Sequence, residues 1–550
     1  TTVNLANADV MLDSPTNNFA VFNPLYVNLT PATLTQGNLF STSAYSSGAT
    51  GNSWNRSTFL IESGAFYIEF LIKDVDEGIV AAQINYSPNS DNINNQTYSQ
   101  YTANTGVIDI NGSAISYGSG NVTSTDGDII GIAIDRDNNY FSVYKNGSAL
   151  STNNTISGGS IIVGVFNSNH GGEIIANFGQ NGTFCGEKTA QGNSDGSGIG
   201  NFYYSVPSGY KALCTKNLPD PAIKLSTEHF NTKLYTGNGA TAQEISLDFN
   251  PDLVWVKSRT DTEHHSLVDR VRGDVAVNSN QNIAEYAVVA FDFNTNNTVD
   301  VPVYANDYSM NTSSDNYAMW HWKANGSGSS NTDGATNTTS TSVNTTAGFS
   351  IMNVVGTGSS TTYGHGLGVV PKVYIVKLTS GTGDWYLQTS ALDGGWDYLQ
   401  LNTTATSNSM SATAPTSSVI TGNITSSATA VYYAFAEVEG FSKFGSYSGN
   451  GNANGTYVYT GFRPAWTMIK RTDVANSWII SDSKITPSNL IDDYLAADLN
   501  QAESATSAVG IDFLSNGFKL KNNANAMNNS SGTYVYMAFA ESPFKYANAR

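Results

Sequence analysis

The chain has 550 residues and a mass of 58.5 kDa, which is too long for one compact core and predicts about three to five domains. Its 44 acidic against 25 basic residues leave a net charge of −19. That charge repels nucleic acid and anionic membrane surfaces, so no nucleic-acid partner and no membrane insertion are expected.

Only 13% of residues are charged, while Tyr and Phe number 30 and 24. This balance favours strands and turns over helices, and an all-β chain is expected. There is no apolar run of the roughly eighteen residues that a spanning helix needs. The opening TTVNLANADV lacks the charged-then-apolar plan of a signal peptide, so a soluble chain without a sorting signal is expected. Cys185 and Cys214 are too few for a disulfide framework and read as free thiols. Asn-x-Ser/Thr triplets such as Asn28-Leu-Thr read as turn and strand chemistry, not as glycan sites.

Residues 1–220 predict a first domain with an entry segment and an antiparallel sandwich. Strand-like runs FYIEFLIKD (66–74), IIGIAIDRD (129–137), YFSVYKNG (140–147) and SIIVGVF (160–166) recur with turn punctuation. Asp137-Asn138-Asn139 supplies a hairpin turn and Asn146-Gly147 opens another. SGAFYIEF, GDIIGIAIDRDNNYFSVYKNG (127–147) and ANFGQ (176–180) resemble the successive strand signatures of SPRY-type, concanavalin-like β-sandwiches. DSPTNNFAVFNPL (13–25) and NFYYSVPSGYKALCTKNLP (201–219) resemble the entry and closing stretches of such domains in bacteriophage structural proteins. The resemblance implies a fold and a virion setting, and no catalytic motif.

From residue 221 onward the chain repeats itself. PDLVWVKS, PKVYIVKL and PAWTMIKR begin at Pro251, Pro371 and Pro464, and each places a lysine six residues after the proline: Lys257, Lys377, Lys470. Fourteen residues after the proline stand His265, Trp385 and Trp478. YAMWHWKA (317–324), AVYYAFAE (430–437) and YVYMAFAE (534–541) close the copies. The apolar runs are short, rich in β-branched and aromatic residues, and entered through proline, as buried strands are. We therefore expect serial β-sandwich domains: repeats at 221–325, 348–440 and 441–550, with 326–347, GSGSSNTDGATNTTSTSVNTTA, as a flexible Gly/Ser/Thr/Asn linker. A serial array with short junctions predicts an elongated object. The three repeats also resemble those of tail-fibre-like virion proteins.

Tyr, Trp and Asn grip sugars, because an aromatic face stacks on a pyranose and amides bond its hydroxyls. The repeat alignment assigns Trp320, Trp322, Trp385 and Trp478 to core positions. Trp54 and Trp396 fall in Gly- or Asn-rich stretches with no repeated counterpart, and with Tyr363 and Tyr398 they are the candidate exposed aromatics for ligand binding. Asp261, Glu263, His264 and His265 are metal-ligand types, but His265 occupies the repeated tryptophan position, so no metal and no cofactor are expected. Glu69 and the acids at Asp74, Asp76 and Glu77 do not form a glycosidase pair on one strand face, and no G-x-S-x-G elbow exists, so catalysis is not expected. The three repeated lysines are expected to snorkel to water.

These readings converge on a phage virion structural protein on the particle exterior. The expected role is a tail-fibre or appendage subunit adhering to host-surface glycan, assembled with other virion proteins as a homo-oligomer, a trimer if it is a fibre. Capsid decoration or a tail connector without receptor binding is the alternative, and a virion-borne polysaccharide-degrading enzyme a second one.

Overall fold

The computed structural model describes residues 17–25, 33–42, 53–75, 78–84, 98–115, 122–157, 160–167, 172–303, 309–392, 394–408 and 413–547. The chain is all-β apart from short 3-10 turns, and it divides into two compact units, Thr1–Asp220 and Pro221–Arg550. No helix among the described residues is long and apolar enough to cross a membrane.

Among the described residues the first unit is a sandwich of an eight-stranded and a six-stranded sheet. Ala65–Asp74 lies centrally in the larger sheet, between Glu173–Asn177 and Ile129–Asp135. Its Phe66, Ile68, Phe70 and Ile72 are buried on one face, as period-two alternation requires. The predicted hairpin forms: Ile129–Asp135 pairs with Tyr140–Lys145, and Asn139 takes the left-handed conformation (φ 57°) that closes the turn. Neither Cys185 nor Cys214 is in a disulfide.

The opposite face of Ala65–Asp74 carries Glu69, which is fully buried beneath the closing stretch. Its two carboxyl oxygens accept hydrogen bonds from the backbone N–H groups of Tyr203 and Tyr204, both at 2.8 Å, and from Asn177 Nδ2 at 3.2 Å. Burial pushes its pKa up to about 7 against the pull of these donors. Glu69 is thus a clasp on residues 201–204. Glu69→Gln sets an amide nitrogen against backbone donors and is expected to cost the first unit about 1–3 kcal/mol, measured as a lowered midpoint of its unfolding transition.

In the second unit each repeat builds a six-stranded sheet backed by a smaller outer one. The central strands Leu253–Ser258, Val373–Leu378 and Phe462–Arg471 each pair with the closing strand of their repeat: Asn316–Trp322, Thr429–Phe435 and Thr533–Pro543. One face of each large sheet packs on that repeat's own outer sheet, around Val254 and Val256, Tyr374 and Val376, or Ile469. The other face turns to a core common to all three repeats, where Trp255, Trp320, Trp322, Trp385, Tyr433, Phe435, Trp466, Trp478 and Phe539 meet. Strands buried on both faces have no polar alternation, which is why these runs read as continuously apolar. Leu253, Trp255, Trp385, Phe435, Trp466 and Met537 are among the residues around an apolar void of about 20 Å³, room for little more than one water.

The three repeats close head to tail. Trp385 Nε1 donates to Asn278 O (2.7 Å), Trp478 Nε1 to Gln400 O (2.9 Å), and His265 Nε2 bonds Ala496 O (3.0 Å). A second cycle crosses the same three seams with donation running the other way: Glu285 N to Thr379 O (3.0 Å), Ser407 N to Thr472 O (2.9 Å) and Glu503 N to Arg259 O (2.9 Å). The strand registers make the three donors in each cycle equivalent, so the second unit is a pseudo-threefold ring made from one chain.

Three expectations change here. The three repeats share one core rather than standing in an elongated series. Residues 326–347 are not a flexible linker: Ser340–Asn344 is an edge strand paired with Phe349–Val355, and Ser329 pairs with Thr341. The polar composition of this stretch serves local side-chain bonds, such as Ser330 Oγ to Thr338 O (2.7 Å) and Asn331 N to Thr338 Oγ1 (2.8 Å). Nor do the lysines reach water. Lys257, Lys377 and Lys470 are at most 1% exposed. Lys377 Nζ donates to the carbonyls of Asn282 (3.3 Å), Leu378 (2.9 Å) and Gly383 (2.9 Å), and Lys470 Nζ to those of Thr404 (3.3 Å) and Arg471 (2.8 Å). Both therefore reach into the preceding repeat. Burial pulls all three ammonium groups down to about 8.

Candidate functional site

The three copies serve as references for one another. Trp385–Thr389 and Asp397–Gln400 lie at one edge of the second repeat's sheet, pairing Tyr386 with Gln400 and Gln388 with Tyr398. Trp385, Leu387 and Leu399 point to the shared core, so these four residues face away from it, Gln388 being buried beside Tyr374. The equivalent positions in the first repeat are Ser266, Val268, Ala276 and Asn278, all buried. In the third they are Ile479, Ser481, Tyr494 and Ala496, of which only Tyr494 is half-exposed. In the second repeat Tyr386, Tyr398 and Gln400 are all half-exposed. The outer face of this edge is distinct in chemistry as well as in exposure.

The rings of Tyr386 and Tyr398 meet edge to face, with centroids 5.2 Å apart at 77°. Beneath them Trp396 stacks on Tyr374 at 5.4 Å and 19°. Asp384 borders the patch: one carboxylate oxygen accepts from Gln400 Nε2 and the other from Asn402 Nδ2, both at 2.9 Å. Thr403 Oγ1 donates to Gln400 Oε1 at 3.1 Å. Burial, with the charge of Asp384 and the Tyr398 ring adding to it, raises the pKa of Tyr386, so its phenol stays a donor. Two half-exposed rings, fixed amides and a carboxylate with lone pairs to spare can stack on and hydrogen-bond a polyhydroxylated ligand.

The four predicted aromatics fare differently. Tyr398 is in the patch. Trp396 is 8% exposed and forms its floor, because the Gly394-Gly395 turn folds its ring back onto Tyr374. Tyr363 is 1% exposed, inside the second repeat's outer cluster, where its hydroxyl donates to Val355 O at 3.1 Å. Both are corrections to the expectation of exposure: a glycine-rich neighbourhood marks a turn, and a turn can point an aromatic inward. Trp54 lies in the strand Ser53–Ile61, opposite Phe166, and its side chain is outside the described residues. Sequence reasoning passed over Tyr386, Gln400 and Asp384. The available signal was the contrast between WYLQT and its counterparts HSLVD and WIISD at outward positions.

The metal-ligand types disperse. Glu263 accepts from Thr312 Oγ1 and Tyr317 OH, both at 2.9 Å; His264 is held by Asn280 and Gln281; His265 faces Trp255. No group of three or more metal-ligating side chains gathers among the described residues.

Residues 225–543 match the model of a family described as a domain of unknown function (DUF7483). No curated protein matches the chain. Among solved structures it is similar to the SPRY domain of human HERC1, at 17% identity over 30% of this chain and 95% of that one, with a TM-score of 0.22. It is also similar to the TRIM65 PSpry domain (14%, 29% and 92%, TM-score 0.23) and to the carbohydrate-binding module CBM66 from Bacillus subtilis (10%, 28% and 95%, TM-score 0.20).

Proposed function

This chain belongs to the family of the domain of unknown function DUF7483, and we propose that it is a phage virion protein on the particle exterior, an appendage or tail-fibre subunit that adheres to host-surface glycan without catalysis. The observation that carries the reading is the patch of Tyr386, Tyr398, Gln400 and Asp384, in which the half-exposed Tyr386 and Gln400 stand where the first repeat has buried Ser266 and Asn278 and the third buried Ile479 and Ala496. Sheets buried on both faces hold it rigid, which limits the ordering cost of binding. Copies carried together by other virion proteins would multiply a weak single contact through effective concentration.

The test is saturable attachment of the labelled intact protein to host cells, with and without enzymatic removal of surface sugar. Tyr386→Ala combined with Tyr398→Ala is expected to weaken attachment roughly five- to a hundredfold, since each ring is worth roughly 0.5–1.5 kcal/mol beyond its buried area. Attachment that survives sugar removal, or no attachment by an intact protein, would refute the reading and favour capsid decoration.

A further inference from the structure

Between Lys377 and Lys443 the chain contains no Lys, Arg or His, while Asp384, Asp393, Asp397, Glu437 and Glu439 all fall there. The matching stretches of the other repeats carry bases: Arg259, Arg270 and Arg272 in the first, Lys484, Lys519 and Lys521 in the third. The edge that holds Tyr386 and Tyr398 lies wholly inside the base-free stretch. The cations that approach it from neighbouring elements are turned inward. Lys377 Nζ donates to Gly383 O (2.9 Å), next in the chain to Asp384, and Lys470 Nζ to Thr404 O (3.3 Å), and both lysines are fully buried. Arg272, on the first repeat, is buried as well and pairs with Asp269 and Glu285.

The hydrogen bonds of the patch run in one direction. Trp385 N donates to Asn402 Oδ1 (3.0 Å) and Thr403 Oγ1 to Gln400 Oε1 (3.1 Å). With their oxygens engaged, both side-chain amides turn their N–H groups to Asp384, one on each carboxylate oxygen at 2.9 Å. A carboxylate has about four acceptor positions, and these amides fill only part of them. What the patch keeps for a ligand is acceptor capacity on Asp384 and the phenol O–H groups of Tyr386 and Tyr398.

A sugar hydroxyl satisfies this arrangement, since it can donate to the carboxylate and accept from a phenol. Hydroxyls on neighbouring ring carbons can take one oxygen of Asp384 each. An acidic substituent on the sugar cannot do the same. It brings acceptors without donors, meets no base on this stretch, and gives up its hydration beside a like charge.

Building on the reading of this edge as a glycan site, we propose that it selects uncharged saccharides and excludes acidic ones, with Asp384 as the specificity-determining residue. The net charge of −19 opposes any polyanion at long range. At about 0.15 M salt that field is screened within roughly 8 Å, whereas Asp384 acts at contact.

The test uses the intact protein at that salt concentration. The probes are host-surface polysaccharide separated by anion exchange into an uncharged and an acidic pool, and the uncharged pool lightly carboxymethylated or, as the neutral control for substituent size, hydroxyethylated. The uncharged pool should bind, and its carboxymethylated form should bind at least tenfold more weakly than the hydroxyethylated one. Asp384→Asn is expected to narrow that ratio at least threefold. Should the variant not fold, Thr404→Lys, which sets an ammonium at an exposed position two residues beyond Asn402, should narrow it likewise. Equal binding of the two derivatives, binding of the acidic pool alone, or a ratio that the substitution leaves unmoved would overturn the selection and leave the glycan reading standing. Binding of neither pool would overturn both.

Discussion

Trp385→Ala is expected to cost the second unit about 3–5 kcal/mol, the range for truncating a fully buried tryptophan. The indole is 0% exposed, packs where all three repeats meet and borders the void of about 20 Å³. Truncation would enlarge that void at the one place where no single repeat can collapse to fill it. It also strands the carbonyl of Asn278, which accepts the indole N–H across a seam. Chemical denaturation should show the transition of the second unit moving to lower denaturant while that of the first unit stays in place. An unchanged midpoint would mean that the three repeats do not depend on a common core.

Asp482→Ala should cost about 3 kcal/mol by a different route. The carboxylate accepts from Thr232, Trp320 and the backbone N–H of Lys484 (2.7 Å), tying the third repeat to the first. Alanine leaves two side-chain donors of another repeat buried without an acceptor, and relief of the desolvated charge offsets only part of this. Asp269 stands at the equivalent position and accepts from Tyr433 OH at 2.7 Å, but there Arg272 shares the carboxylate at 2.7 Å. Asp482 has no ion pair within 4 Å among the described residues. Thermal unfolding of Asp482→Ala beside Thr232→Val separates the two contributions, and the aspartate variant should lose more.

Much of the fold could be read before any coordinates. Proline entry, β-branched runs and a lysine at fixed spacing identify three copies of one unit, and the tryptophans at repeated positions are core as the alignment implies. Closure could not be read in the same way. A strand apolar on both faces announces two buried faces without saying whose side chains cover the second, and the partner of Leu253 or Trp466 lies in another copy more than a hundred residues away. Lys377 and Lys470 misled in part for the same reason: beside carbonyls of its own repeat, each also meets a loop carbonyl of the preceding one, Asn282 or Thr404. Composition misled at 326–347, where serine, threonine and asparagine act as local bonding partners rather than as flexible spacers. At the candidate site, rarity of neighbours pointed to Trp396 and Tyr363, yet exposure is decided by strand alternation, which assigns Tyr386 and Tyr398 to the outward face.

The apolar clusters under the three outer sheets are each confined to one repeat, whereas the axial cluster draws on all three. A substitution on a rim is felt by one repeat, and a substitution at the axis by every one. The two regions therefore face unequal mutational tolerance. Rim chemistry such as the Tyr386 patch can diversify copy by copy, and even be lost from one copy and gained in another, while the axis has to change in concert or not at all. A family built this way would alter what it touches far faster than how it is held together.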